Sequence, residues 1–108
     1  MRQQRLVPDI TVVKRNARYR NGDLDETALF CVEILSPGQT LGNLLDKADR
    51  IVRAGTSLCW IIWPERRKAW AYSIDEFAEC TEALRATLSQ DDVVEISLAP
   101  IWAELEGE

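Results

Sequence analysis

Six consecutive apolar residues, Leu58 to Trp63 (LCWIIW), set the first constraint on the fold. A strand with one solvated face alternates polar and apolar residues. This one does not, so it reads as a central strand covered on both faces. Cover for one face stands just upstream. Leu41, Leu44, Leu45, Ala48, Ile51 and Val52 recur at helical spacing and form one apolar stripe. Thr40 is placed to cap that helix through its hydroxyl, and Gly55 to end it at C′. Downstream, Pro64 to Arg67 turns the chain and Lys68 to Ser73 (KAWAYS) returns as a hairpin partner.

Before the helix, Val7 to Lys14 (VPDITVVK) and Leu29 to Leu35 (LFCVEIL) read as strands. They can pair antiparallel across a polar loop that contains the turn signal Asn21-Gly22. A strand, helix, strand succession needs a crossover. The expected fold is therefore α/β, a mixed central sheet with one crossover helix, in a single domain over residues 1–108. The C-terminal third is less regular. Glu79 to Leu88 has helix-forming composition, weakened by Cys80, Thr81 and Thr87. Val93 to Leu98 reads as a strand, and Pro100 to Leu105 as a short turn of helix. With only one long amphipathic helix, one sheet face is left to be buried elsewhere. The expectation is a homodimer that covers Trp60 or Trp63 and Trp70.

Composition excludes several chemistries. The 108 residues are 46% hydrophobic and 29% charged, enough for a packed core. No apolar run nears the roughly 20 residues of a membrane helix. The opening MRQQRLVPD lacks a signal-peptide apolar region, so the expected location is cytoplasmic, away from membranes. There is no histidine, which removes His-based triads and His-ligated zinc. The 3 cysteines, Cys31, Cys59 and Cys80, are widely spaced and read as reduced thiols in apolar surroundings. Catalysis would rest on carboxylates, lysine, hydroxyls or a hard cation held by oxygens.

The net charge of −5 is unevenly spread. Arg2, Arg5, Lys14, Arg15, Arg18 and Arg20 face only Asp9 in the first 20 residues, whereas Arg85 stands against 10 acids in residues 74–108. Lys14, Arg15, Arg18 and Arg20 are the expected nucleic-acid-binding residues, at the end turned away from the acidic tail. A solvated basic loop is the alternative reading of the same residues.

Glu33 is the odd residue of the second strand. Its face-mates are Leu29, Cys31 and Leu35, and the opposite face carries Phe30, Val32 and Ile34. A carboxylate between such neighbours is costly unless paired or bound to a cation. The other reading is an edge strand from which Glu33 reaches solvent. Asp9 heads the first strand. Lys47 and Asn43 lie on one flank of the helical stripe, positioned to look along the sheet toward these acids. A lysine snorkelling beside the core is the plainer account of Lys47.

Pro8-Asp9-Ile10-Thr11-Val12-Val13, then Val32-Glu33-Ile34-Leu35-Ser36-Pro37, then Lys47, Arg53-Ala54-Gly55 and Trp60-Ile61-Ile62 before Pro64 occur in this order. In these motifs, over nearly its whole length, the chain resembles the Uma-type family of putative restriction endonucleases, within the PD-(D/E)XK nuclease superfamily. The resemblance implies a restriction-endonuclease-like core and a metal-dependent endonuclease that hydrolyses DNA phosphodiester bonds. It implies Asp9, Glu33 and the Ile34 carbonyl as ligands of Mg²⁺ or Mn²⁺. It also implies Lys47 on the helix as catalytic base or charge stabiliser, in place of the lysine usually found two residues after the Glu, where Leu35 stands. Departures accompany it. The helical layer usual before "PD" is expected to be missing. Asn43 stands where an acid is common, Ile51 where a tyrosine is, and Trp63 where the family's "VDP" has its Asp. These favour a second expectation, a non-catalytic remnant that acts as a binding or dimerisation module.

Overall fold

The computed structural model describes residues 9–12, 19–20, 23–24, 28–88 and 90–106. Its centre is a five-stranded sheet built from β1 (Ile10–Val12), β4 (Phe30–Ile34), β5 (Cys59–Trp63), β6 (Lys68–Tyr72) and β7 (Phe77–Cys80), in the order β1-β4-β5-β6-β7. Two short strands, β2 (Tyr19–Arg20) and β3 (Asp23–Leu24), pair with each other between β1 and β4 in sequence. β4 and β5 are parallel and every other neighbour pair of the central sheet is antiparallel. The crossover between the parallel strands is α1 (Leu41–Arg53). Thr40 Oγ1 accepts from the Asn43 N–H at 3.1 Å at its start, and Gly55 follows its end at φ 121°, a conformation that favours glycine.

Cross-strand register sorts the sheet into two faces. Cys31, Leu35, Cys59, Ile61 and Trp70 point toward α1 and pack with Leu44, Ala48, Ile51 and Val52. Phe30, Val32, Trp60 and Ala69 point the other way. β5 lies in the middle with both faces buried, as an all-apolar strand requires.

The second face is covered by the chain itself. β8 (Ala83–Thr87) and β9 (Val93–Ser97) form an antiparallel hairpin, followed by α2 (Leu98–Glu106). Leu84, Ala86 and Leu98 pack from these elements onto Phe30, Trp60 and Ala69. The helix-forming composition of Glu79 to Leu88 is thus overridden. Leu84 and Ala86 alternate inward with Arg85 and Thr87 outward, a period of two, and burial of that face decides the conformation. The bare face expected from the sequence does not exist, because Trp60 is only 1% exposed within one chain. The argument for a homodimer that rested on that face falls with it. Leu84→Ala should cost about 2–5 kcal/mol of unfolding free energy, since the side chain is fully buried between the two layers. Urea denaturation checks this; a loss under about 1 kcal/mol would mean that the hairpin contributes little to the core.

Candidate active site

Asp9 and Glu33 come together because β1 and β4 pair antiparallel. Ile10 lies opposite Val32 and Thr11 opposite Cys31, which brings Asp9 level with the end of β4. There the Ile34 backbone N–H donates to Asp9 Oδ2 at 2.7 Å. Ile34 has no β1 residue opposite it within the strand ladder, so the acid side chain takes the place of a backbone partner. The carbonyl of a strand residue points to the same side as its own N–H. The Ile34 carbonyl therefore opens toward the edge where Asp9 sits.

Glu33 belongs to the α1 face, beside Ile61 of β5, and is 1% exposed. The parallel pairing puts β5 on its far side, so it does not reach solvent from a sheet edge. Its countercharge comes from the helix. Lys47 Nζ lies 3.2 Å from Glu33 Oε1 and 3.3 Å from Oε2, and donates its hydrogen bond to Oε2. Oε1 is buried and accepts no hydrogen bond. The Lys47 side chain is 30% exposed, so the pair joins a buried acid to a half-buried lysine.

Burial pushes the Glu33 carboxyl above its ordinary value. The Lys47 ammonium pulls it back by hydrogen bond and by charge, and the neighbouring Asp9 carboxylate pushes it up again. Two acids are thus held close against their repulsion, a layout that a bound cation relieves. Among the described residues no group of three or more His, Cys, Asp or Glu gathers in one place. The oxygens available are those of Asp9, Glu33 and the Ile34 carbonyl. That donor set suits a hard ion such as Mg²⁺, which takes one or two carboxylates and keeps several waters. Oε1 has the Lys47 nitrogen nearby but accepts no hydrogen bond, which fits such an ion as well.

Asn43 is exposed in the first turn of α1, one turn before Lys47. Cys31 and Cys59 sit side by side on the same sheet face, both buried and unbridged. Burial pushes both thiols up, Cys59 to about 12, so they are inert at neutral pH, as the sequence suggests. Lys14, Arg15 and Arg18 lie outside the described residues. Arg20 is described only as backbone in β2.

The family described as "Putative restriction endonuclease" (Uma2) matches residues 2–104. The chain belongs to the Uma2 family. A solved structure from Anabaena variabilis ATCC 29413, titled a putative nuclease belonging to DUF820, superposes on this Uma2 chain with a TM-score of 0.72 at 23% identity. The superposition covers 92% of this chain and 60% of that one, so the Uma2 chain spans about three fifths of its neighbour's length. The likeness shows that the two chains share this mixed α/β fold. No curated protein matches.

One site of contact was not foreseen. Tyr72 of β6 donates its hydroxyl to Asp49 Oδ1 at 2.7 Å, and Arg53 Nε donates to Asp49 Oδ2 at 2.9 Å. This ties the opposite flank of α1 to the sheet and fixes the rotation of the helix that delivers Lys47. The residues are 23 apart in sequence, and only the (i, i+4) spacing of Asp49 and Arg53 signals any part of it.

Proposed function

We infer that this Uma2 chain is a divalent-metal-dependent endonuclease that hydrolyses DNA phosphodiester bonds, with Asp9, Glu33 and Lys47 as its catalytic residues. The observation that carries the reading is the meeting of Asp9, the Ile34 backbone and the Glu33–Lys47 pair at one end of the parallel strands. Asp9, Glu33 and the Ile34 carbonyl would hold the cation. When bound, Mg²⁺ or Mn²⁺ supplies Lewis-acid polarisation of the phosphodiester and lowers the pKa of water. Lys47 pairs with Glu33 through its Nζ. Its part is to act on the attacking water as base or to offset charge that develops on the phosphate. Glu33 in turn holds Lys47, whose side chain is 30% exposed, over the sheet.

Asp9→Asn is the direct test. The amide oxygen can still accept from the Ile34 N–H, so the strand end is preserved while a ligand charge is lost. Cleavage of plasmid DNA in Mg²⁺ should fall on the order of a hundredfold or more, and the wild type should lose cleavage in chelator. Wild-type cleavage that survives chelation, or an Asp9→Asn protein of full activity, would refute this assignment. A wild type that binds DNA but never cuts it would favour the binding-module reading, which Trp63 in place of the family's Asp supports.

A further inference from the structure

The nuclease reading leaves Trp63 and the turn after it unused. Trp63 ends β5 on the same sheet face as Glu33, two residues beyond Ile61, the partner of Glu33. Its partner across the hairpin is Lys68, which the register puts on the same face. Between them the turn Pro64–Arg66 and the left-handed Arg67 present Arg66, Arg67 and Lys68 in succession, all exposed, with Glu65 as the turn's acid. The Arg66 guanidinium carbon stands 5.7 Å from the Trp63 ring centroid. The ring also packs on the buried Trp70, at 6.3 Å between centroids, so the indole reaches from the core to the cations. Trp70 is stacked in turn on the exposed Phe77, at 5.9 Å and 20°. The two flanks of α1 divide this face. Lys47 and Glu33 lie on the β1 side and the aromatic row on the β6 side.

We propose that Trp63, with Arg66, Arg67 and Lys68, forms a grip for a single DNA strand beyond the carboxylates. It rests on the nuclease reading for the identity of the polymer. A nucleobase stacks on the Trp63 indole, and the three turn cations meet the flanking phosphates. Aromatic faces bind bases with little regard to sequence, and adjacent cations track the backbone. The face that Arg66 covers already accepts a planar cation, so a base can take that place while the guanidinium turns to a phosphate. A base inside a duplex has both faces covered and cannot lie flat on the ring, which makes the favoured substrate a single strand or a frayed end. A docked protein would exploit the aromatic row but has no need of three successive cations.

Fluorescence anisotropy of a labelled oligothymidylate and of a duplex of equal length, with the full chain in chelator to stop cleavage, tests this. The oligothymidylate should bind more tightly. Trp63→Ala should weaken it roughly tenfold or more, and Trp63→Phe should retain most of the affinity. Replacing Arg66, Arg67 and Lys68 together by alanine should reduce the slope of log K against log salt by about 2. Affinity within twofold of wild type for Trp63→Ala, an unchanged salt slope, or a duplex bound as tightly as the single strand would each overturn the grip. Should Trp63→Ala not fold, the triple variant decides alone. Metal-dependent cleavage with unaffected Trp63→Ala binding would sink the grip and spare the nuclease. Trp63-dependent binding by a chain that never cuts would do the reverse.

Discussion

Glu33→Gln should abolish metal-dependent cleavage, by a factor on the order of a hundred or more, while leaving the protein folded. Glutamine has nearly the shape of glutamate, keeps an oxygen for Lys47 to donate to, and carries no charge to be buried. It therefore removes the ligand without opening a cavity. The metal should go with the activity. Anything that binds only the folded state raises its stability by mass action, so Mg²⁺ at concentrations well above its Kd should raise the melting temperature of the wild type. The same addition should leave the Glu33→Gln melting temperature unchanged. Titration calorimetry gives the second reading, with metal uptake by wild type and little by the variant. Equal uptake by both would take Glu33 out of the metal site, even if activity were lost. Retained cleavage would remove it from the catalytic group altogether.

Much of this site was visible in the sequence for a simple reason. Asp9, Glu33 and Lys47 sit in or beside elements whose apolar pattern is strong. The run Leu58 to Trp63 dictates a central strand, and the stripe from Leu41 to Val52 dictates a helix over it. Once β4 and β5 are parallel neighbours, Glu33 has to face the helix or the opposite layer; the pattern alone leaves Lys47 a snorkelling lysine, and the family resemblance is what singles it out as the partner. The second layer was not visible. Residues 83–87 (ALRAT) carry residues of good helix propensity, and their strand conformation comes from contacts with Trp60 and Phe30, which are distant in sequence. Local preference and tertiary burial disagreed there, and burial won. The Asp49–Tyr72 bond was hidden for the same reason: no local rule relates a helix acid to a tyrosine two elements later.

Lys47→Ala should be the most destabilising change at the site, and its effect should depend on pH. The substitution leaves a carboxylate that is 1% exposed beside Asp9 with its helix countercharge gone. Breaking such a pair from one side commonly costs 3–5 kcal/mol, and the partial exposure of the Lys47 side chain lowers the expectation here to about 2–3 kcal/mol at neutral pH. For a chain of this size that is a drop of roughly 10–20 °C in melting temperature. Burial already raises the Glu33 pKa above its ordinary 4.5 with Lys47 present, so the folded protein holds this proton more tightly than the unfolded chain does. Stability owed to Glu33 is therefore greatest below 4.5 and declines as pH rises through the raised folded value. Without Lys47 the folded value rises further, and the decline deepens and extends to higher pH. The difference between wild type and Lys47→Ala should accordingly be small near pH 4.5 and large at neutral pH, with chelator present in both. Adding Glu33→Gln to Lys47→Ala removes the group that titrates, so the double variant should recover most of the lost stability and lose the pH dependence. Equal destabilisation by Lys47→Ala at acid and neutral pH would show that the lysine contributes by packing its aliphatic stem, and that Glu33 does not need its charge.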